Sequence, residues 1–219
     1  MLIEKLKENE DKNYLKFNQR IIKTNQKMIG VRVPILRKIA KEINLDDFLK
    51  EYKGVYYEET FIYGLLIGNL KDKELIKKHL ILYSKEIKDW SQCDSPASNL
   101  KIIKNNNEYF LSTIEELLSS TEEFEVRFGL VLLLFHYIND QYIDYILKVS
   151  ISIKSDLYYI NMALSWLLCE CFIKYEEKTD IYISPKYLNN FVLNKTISKI
   201  SDSYRVPYKV KLNLKKRKI

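Results

Sequence analysis

Glu123-Phe-Glu-Val-Arg127-Phe-Gly-Leu130-Val-Leu-Leu-Leu-Phe135-His-Tyr-Ile138 decides the fold. From Val126 to Phe135 a single polar residue, Arg127, interrupts an apolar run. The run is long enough for a helix, and a helix that is apolar nearly all round is covered on several sides by other elements. Residues 156–174 read the same way. Other stretches carry one apolar face: Tyr14, Leu15, Phe17, Ile21 and Ile22 over 11–24, and Phe61, Ile62, Leu65 and Leu66 over 56–70. Pro34 suits the first turn of a helix to about Ile43, and Asn44 or Asp46 can cap a short helix through Leu49. One or two helices are expected over 72–88, then a break near Asp89–Pro96, then helices near 98–104 and 107–118. Ser184-Pro185 reads as the start of a helix to about Ile200.

The 219 residues include only 5 Gly and 4 Pro, which speaks against an all-β fold and against glycine-rich phosphate loops. No apolar run reaches the ~20 residues of a bilayer span. Helices of one to four turns on short polar links, several buried on more than one side, predict an all-α chain: a curved α-solenoid of stacked antiparallel helical pairs. Without a visible repeat, a compact irregular bundle is the alternative. One domain over 1–219 is expected, with a basic tail at about 205–219.

That tail carries the whole net charge of +7. No acid follows Asp202, whereas Arg205, Lys209, Lys211, Lys215, Lys216, Arg217 and Lys218 do. A basic tail suits a polyanion such as DNA, and equally serves solubility. Cys93, Cys169 and Cys171 form no disulfide framework, and the charged start Met1-Leu-Ile-Glu-Lys is no signal peptide, so a cytoplasmic protein is expected. Cys169 and Cys171 sit about 200° apart on a helix and cannot grip one metal. With His79 and His136 as the only histidines, neither a metal site nor a nucleophilic triad is expected.

Three places could carry chemistry. Trp90 and Asp94 share a face if their segment is helical, and an indole beside a carboxylate suits a cationic ligand; from the residues alone the favoured reading is a tryptophan packed into the core beside an aspartate that caps the next helix. Trp166 lies among the small residues Ala163, Ser165 and Cys169, and from this segment alone reads first as an ordinary core tryptophan. Arg127 either pairs with a carboxylate such as Glu123 or points its fork at a phosphate.

Five segments in order resemble the AlkD-like DNA alkylation repair proteins, the HEAT-like-repeat DNA glycosylases: Met28-Ile-Gly-Val-Arg-Val-Pro34-Ile-Leu-Arg37, Trp90-x-x-x-Asp94, Glu125-Val-Arg127-Phe, Asn161-Met-Ala-Leu-Ser-Trp166 and Ile200-Ser-Asp-Ser-Tyr-Arg205-Val. The resemblance implies a curved solenoid whose concave face holds duplex DNA and a monofunctional glycosylase releasing cationic N3- and N7-alkylated purines. It implies no cofactor or metal. Asp94 would stabilise the oxocarbenium-like sugar and orient water, Trp90 and Trp166 would line the cleft, and Arg127 would hold a phosphate. Arg32, Arg37, Lys38, Arg205, Lys209 and Lys211 are expected on the DNA backbone, and a monomer is expected. A non-catalytic solenoid that binds damaged or branched DNA is the alternative. Pro96 departs from the family pattern. It would distort the segment if Asp94 lies mid-helix, or start a helix that Asp94 caps.

Overall fold

The computed structural model describes residues 2–219, and among these there are fourteen α-helices and no strand. They run α1 (Leu2–Glu8), α2 (Lys12–Ile21), α3 (Val33–Glu42), α4 (Leu45–Glu51), α5 (Tyr57–Ile67), α6 (Lys73–Ser84) and α7 (Trp90–Asn99). After a 3-10 turn at Ile103–Asn105 come α8 (Asn107–Leu118), α9 (Glu123–His136), α10 (Ile143–Ser152), α11 (Tyr158–Lys174), α12 (Glu176–Asp180), α13 (Asn190–Asp202) and α14 (Tyr208–Lys215). No helix among the described residues is long and apolar enough to cross a membrane.

The chain divides into two compact units, Met1–Phe128 and Gly129–Ile219, with the division inside α9. In the first unit α5 packs on α3 and α7, two elements away on either side, as well as on its neighbours α4 and α6, while α6 packs on α8. In the second unit α11 packs on α13 and on its neighbours α10 and α12. Contact with the next helix and with the next but one is how stacked helical pairs pack, so each unit has the arrangement of an α-solenoid. Every residue of α5 is buried, and α9 is buried from Val126 to Leu134. Each such Leu, Ile or Phe contributes about 1.5–3 kcal/mol by leaving water.

Local chemistry sets the ends as expected in several places. Pro34 lies in the first turn of α3, and the Asn44 side chain caps α4 through the Asp47 amide at 2.8 Å. Elsewhere the structure corrects the reading. Ser184-Pro185 opens no helix: one turn closes on the Ser184 carbonyl, and Asn189 then takes extended backbone and caps α13 through the Val192 amide at 2.8 Å. The expected helix near 98–104 is only the 3-10 turn. The basic tail contains α14, whose Leu214 is buried, and is docked by Arg217 on Asp180 at 2.8 Å and by Ile219 on Asn194.

The largest correction is α7. Asp89 caps it through the Ser91 amide, 2.8 Å from the carboxylate, and the helix runs through Pro96 to Asn99. Pro96 cannot donate to the carbonyl of Gln92, and a buried carbonyl left alone is costly. The Tyr83 hydroxyl of α6 donates to that carbonyl instead, at 2.5 Å. Tyr83 reaches it because α5 has Gly64 opposite: a Cβ there would lie 2.5 Å from Tyr83 Cζ and 2.6 Å from Pro96 Cβ. Gly64→Ala should therefore destabilise the protein by about 1–3 kcal/mol through overpacking. Tyr83→Phe should cost a similar ~1–3 kcal/mol through the orphaned carbonyl. Urea midpoints equal to wild type for both would show that α7 does not depend on this contact.

Candidate DNA-repair site

Three further contacts fix α7. The buried Gln92 amide donates to Gln26 Oε1 at 2.7 Å and to the Tyr57 carbonyl at 3.1 Å, and its oxygen accepts from the Lys88 amide at 2.9 Å. Arg37 of α3 donates to Ser95 Oγ at 3.1 Å and to Asn99 Oδ1 at 3.2 Å. Tyr57 Oη meets Ser91 Oγ at 2.5 Å. Asp94 is thus carried on a helix tied to the 22–27 loop, α3, α5 and α6.

Trp90 and Asp94 lie one turn apart on α7, as their spacing predicts for a helix. Trp90 is half-buried, its indole Nε1 directed at the Ile21 carbonyl at 3.5 Å. Arg127, near the start of α9, lays its fork on Asp94: Nε donates to Oδ1 at 3.1 Å, and Nη2 to Oδ1 at 2.9 Å and Oδ2 at 2.7 Å. The Arg127 side chain is 6% exposed and that of Asp94 15%, so the aspartate is the less enclosed of the two. Burial opposes the charge on Arg127, the Asp94 charge and hydrogen bonds favour it, and its pKa lies above the ordinary value. Burial first, then the Asp94 charge, hold the Cys93 thiol well above its usual pKa, so it stays protonated.

Of the two readings of this arginine, the ion pair is the one observed, and its carboxylate is Asp94. The pair supplies a fixed, partly open carboxylate beside an indole, a setting for positive charge or for an oriented water.

The other expected residues have separate surroundings. Arg37 spends its fork on α7. Arg32 pairs with Asp11 at 2.8 Å and lies 5.2 Å over the Tyr14 ring. Lys38 and Lys209 are exposed, and Lys211 is half-exposed. Trp166 belongs to the second unit, where its ring meets Phe135 edge-on at 5.6 Å. It borders an open cavity of about 520 Å³ with Glu170 and Arg205. Those two form a bidentate pair at 2.6 and 2.8 Å. Cys93, Cys169 and Cys171 are buried free thiols, and no three His, Cys, Asp or Glu side chains come together among the described residues.

Sequence reasoning missed Glu58. Its buried carboxylate accepts from the amides of Ile29 (3.1 Å), Gly30 (2.7 Å) and Val31 (3.3 Å), the core of the Met28–Pro34 segment. Gly30 is required there by φ +93° and by Leu15 Cβ, 2.6 Å from where its own Cβ would stand. The only signal was a pair of acids, Glu58 and Glu59, in the first turn of a helix that is apolar from Phe61 onward.

Asp94→Asn would leave the Arg127 charge buried without its counterion. Stability should fall by about 3 kcal/mol, at the low end for a broken buried pair because Asp94 is not fully enclosed. Adding Arg127→Met should restore part of that loss. Urea unfolding of the single and double variants checks this; strict additivity would mean the pair carries no coupling.

The sequence model of a family described as DNA alkylation repair enzyme matches residues 2–200, which takes in α1 through most of α13 and leaves the Arg205 segment and α14 beyond it. No curated protein matches the chain. With a match that spans nearly the whole chain, the protein belongs to the DNA alkylation repair enzyme family.

Proposed function

We propose that the protein is a DNA glycosylase that hydrolyses the N-glycosidic bond of cationic N3- and N7-alkylated purines in duplex DNA. The observation that carries this reading is Asp94, a carboxylate fixed by Arg127, not fully enclosed, and one turn from Trp90. Membership of an alkylation repair family supports the substrate class.

The chemistry asked of the protein is small. An alkylated purine already bears a positive charge, so it leaves with the bonding electron pair as a neutral base and needs no general acid. Positive charge develops on the sugar, where a held carboxylate stabilises it. Water adds its oxygen to C1′ and loses a proton to solvent, giving an abasic site. Asp94 is the catalytic residue, Trp90 presents its ring to the cationic nucleotide, and Arg127 positions Asp94.

A second reading, DNA binding without turnover, is favoured by one feature. Arg127 already engages both Asp94 oxygens, so part of the carboxylate's field is cancelled before substrate arrives.

Release of 7-methylguanine from methylated duplex decides between them. Wild type should release it, and Asp94→Asn should slow excision on the order of 10²-fold or more, by analogy with other lost transition-state contacts. The assay belongs well below the unfolding midpoint of that variant. Trp90→Ala should lower both lesion recognition and rate. Wild type that binds duplex but releases no base would replace the glycosylase reading with the binding one.

A further inference from the structure

We propose that the cavity bordered by Lys23, Lys27, Lys88 and Phe124 is an anion site for the phosphodiester backbone of a DNA strand, next to the Trp90–Asp94 helix. The inference rests on the DNA reading above and adds to it the place where the strand is gripped.

The cavity is open, about 550 Å³, and no Asp or Glu lines it. That sets it apart in a chain whose first 204 residues carry equal numbers of acids and bases. The cavity between α1 and α4 includes Glu42, Asp47 and Glu51, and the one at Trp166 includes Glu170. Here three lysines border one cavity, each an exposed residue. Lys88 Nζ makes one contact, with the Lys85 carbonyl at 3.0 Å, and so keeps further donors for a ligand.

The floor is ordered. Lys27 exchanges backbone hydrogen bonds with the chain entering α5, its amide on the Val55 carbonyl at 3.1 Å and its carbonyl taking the Tyr57 amide at 2.8 Å. Gln26 Nε2 donates to the Gly54 carbonyl at 2.9 Å and to Thr60 Oγ1 at 2.8 Å. The lysine stems therefore project from a fixed loop, which lowers the entropy lost when they meet an anion.

The walls are those of the candidate site. Lys23 is two residues past Ile21, whose carbonyl faces the Trp90 indole. Lys88 is two residues before Trp90. Phe124 is one turn before Arg127 on α9. A strand presenting a nucleotide to Trp90 and Asp94 would bring its neighbouring phosphates over this cavity, with Phe124 as an apolar wall for a sugar or base. Lysine holds phosphate as a point charge and reads no sequence, so the site serves grip and not selection.

The test is fluorescence anisotropy of a labelled, undamaged duplex across a range of salt, which is independent of excision. The variants are Lys23→Gln/Lys27→Gln/Lys88→Gln and, as a charge-matched control elsewhere, Lys101→Gln/Lys104→Gln/Lys148→Gln. All six lysines are exposed, so both proteins should melt like wild type. The cavity variant should bind about tenfold or more weakly at 0.1 M salt, and its slope of log K on log salt should be shallower by about 2–3, one counterion per lysine lost. The control should stay near wild type. Equal losses in both variants would mean diffuse charge and would overturn the site. So would an unchanged cavity variant while wild type binds, and the DNA reading would then stand without it. Wild type that binds no duplex at any salt would sink the DNA reading itself and this site with it.

Discussion

Pro96 withholds an amide from the Gln92 carbonyl, and the Tyr83 hydroxyl supplies the missing donor. The placement of Asp94 follows from that exchange. A proline at the seventh position of a helix ordinarily breaks it or bends it away from its neighbours. Here α7 continues to Asn99, and the residues on either side of Pro96 do the positioning: Asp94 receives Arg127, while Ser95 and Asn99 receive Arg37. The contact has its own requirement. Tyr83 is fully buried, packed edge-on against Tyr63 and Phe128, and it fits only because Gly64 has no side chain. A glycine on α5, a tyrosine on α6 and a proline on α7 thus act as one joint, and Phe128 links that joint to the helix that carries Arg127.

The Asp94–Arg127 pair sets two demands against each other. Enclosing Arg127 needs a counterion, and Asp94 is the one placed to take both of its inner donors. A carboxylate that must also meet positive charge on a ligand needs an open edge. The geometry meets both demands by unequal enclosure, with the arginine sealed and the aspartate partly in solvent. The arginine fixes the carboxylate's direction and reduces its net field. In the proposed reaction, a cation that excluded water as it met Asp94 would gain most from the charge that remains.

Much of this was legible in the sequence because it is local. Buried helices show as apolar runs, so α9 and α11 could be read directly. The Pro34 start, the Asn44 cap and the Trp90–Asp94 spacing depend on residues a few positions apart. What could not be read depends on long range. The partner of Arg127 is 33 residues away, the hydroxyl that lets α7 pass Pro96 comes from the preceding helix, and Glu58 holds a segment 27–29 residues upstream. The Ser184 error has the same root. A serine before a proline is a fair start signal, but Asn189 competes from five residues on, and the chain uses it. Even the tail, set apart as a run of charge, is tied down by Asp180 and Asn194, which its own sequence does not reveal.

The division of labour between arginine and lysine follows from the same contacts. The chain has six arginines, and five of them are engaged within the fold: Arg32 on Asp11, Arg37 on Ser95 and Asn99, Arg127 on Asp94, Arg205 on Glu170 and Arg217 on Asp180. A planar fork matches a carboxylate or a pair of side-chain oxygens better than an ammonium can, so arginine is the residue that closes internal joints. The charge left facing outward is mostly lysine. A polyanion that meets this surface is held by compact, mobile point charges that neutralise phosphate without fixing its orientation. Binding of that kind is blind to sequence and steep in salt, and it leaves discrimination to the few rigid groups beside it. In the proposed reading those groups are Trp90 and Asp94, both on α7, a helix held by Tyr83, Gln92 and Arg37 without any ligand.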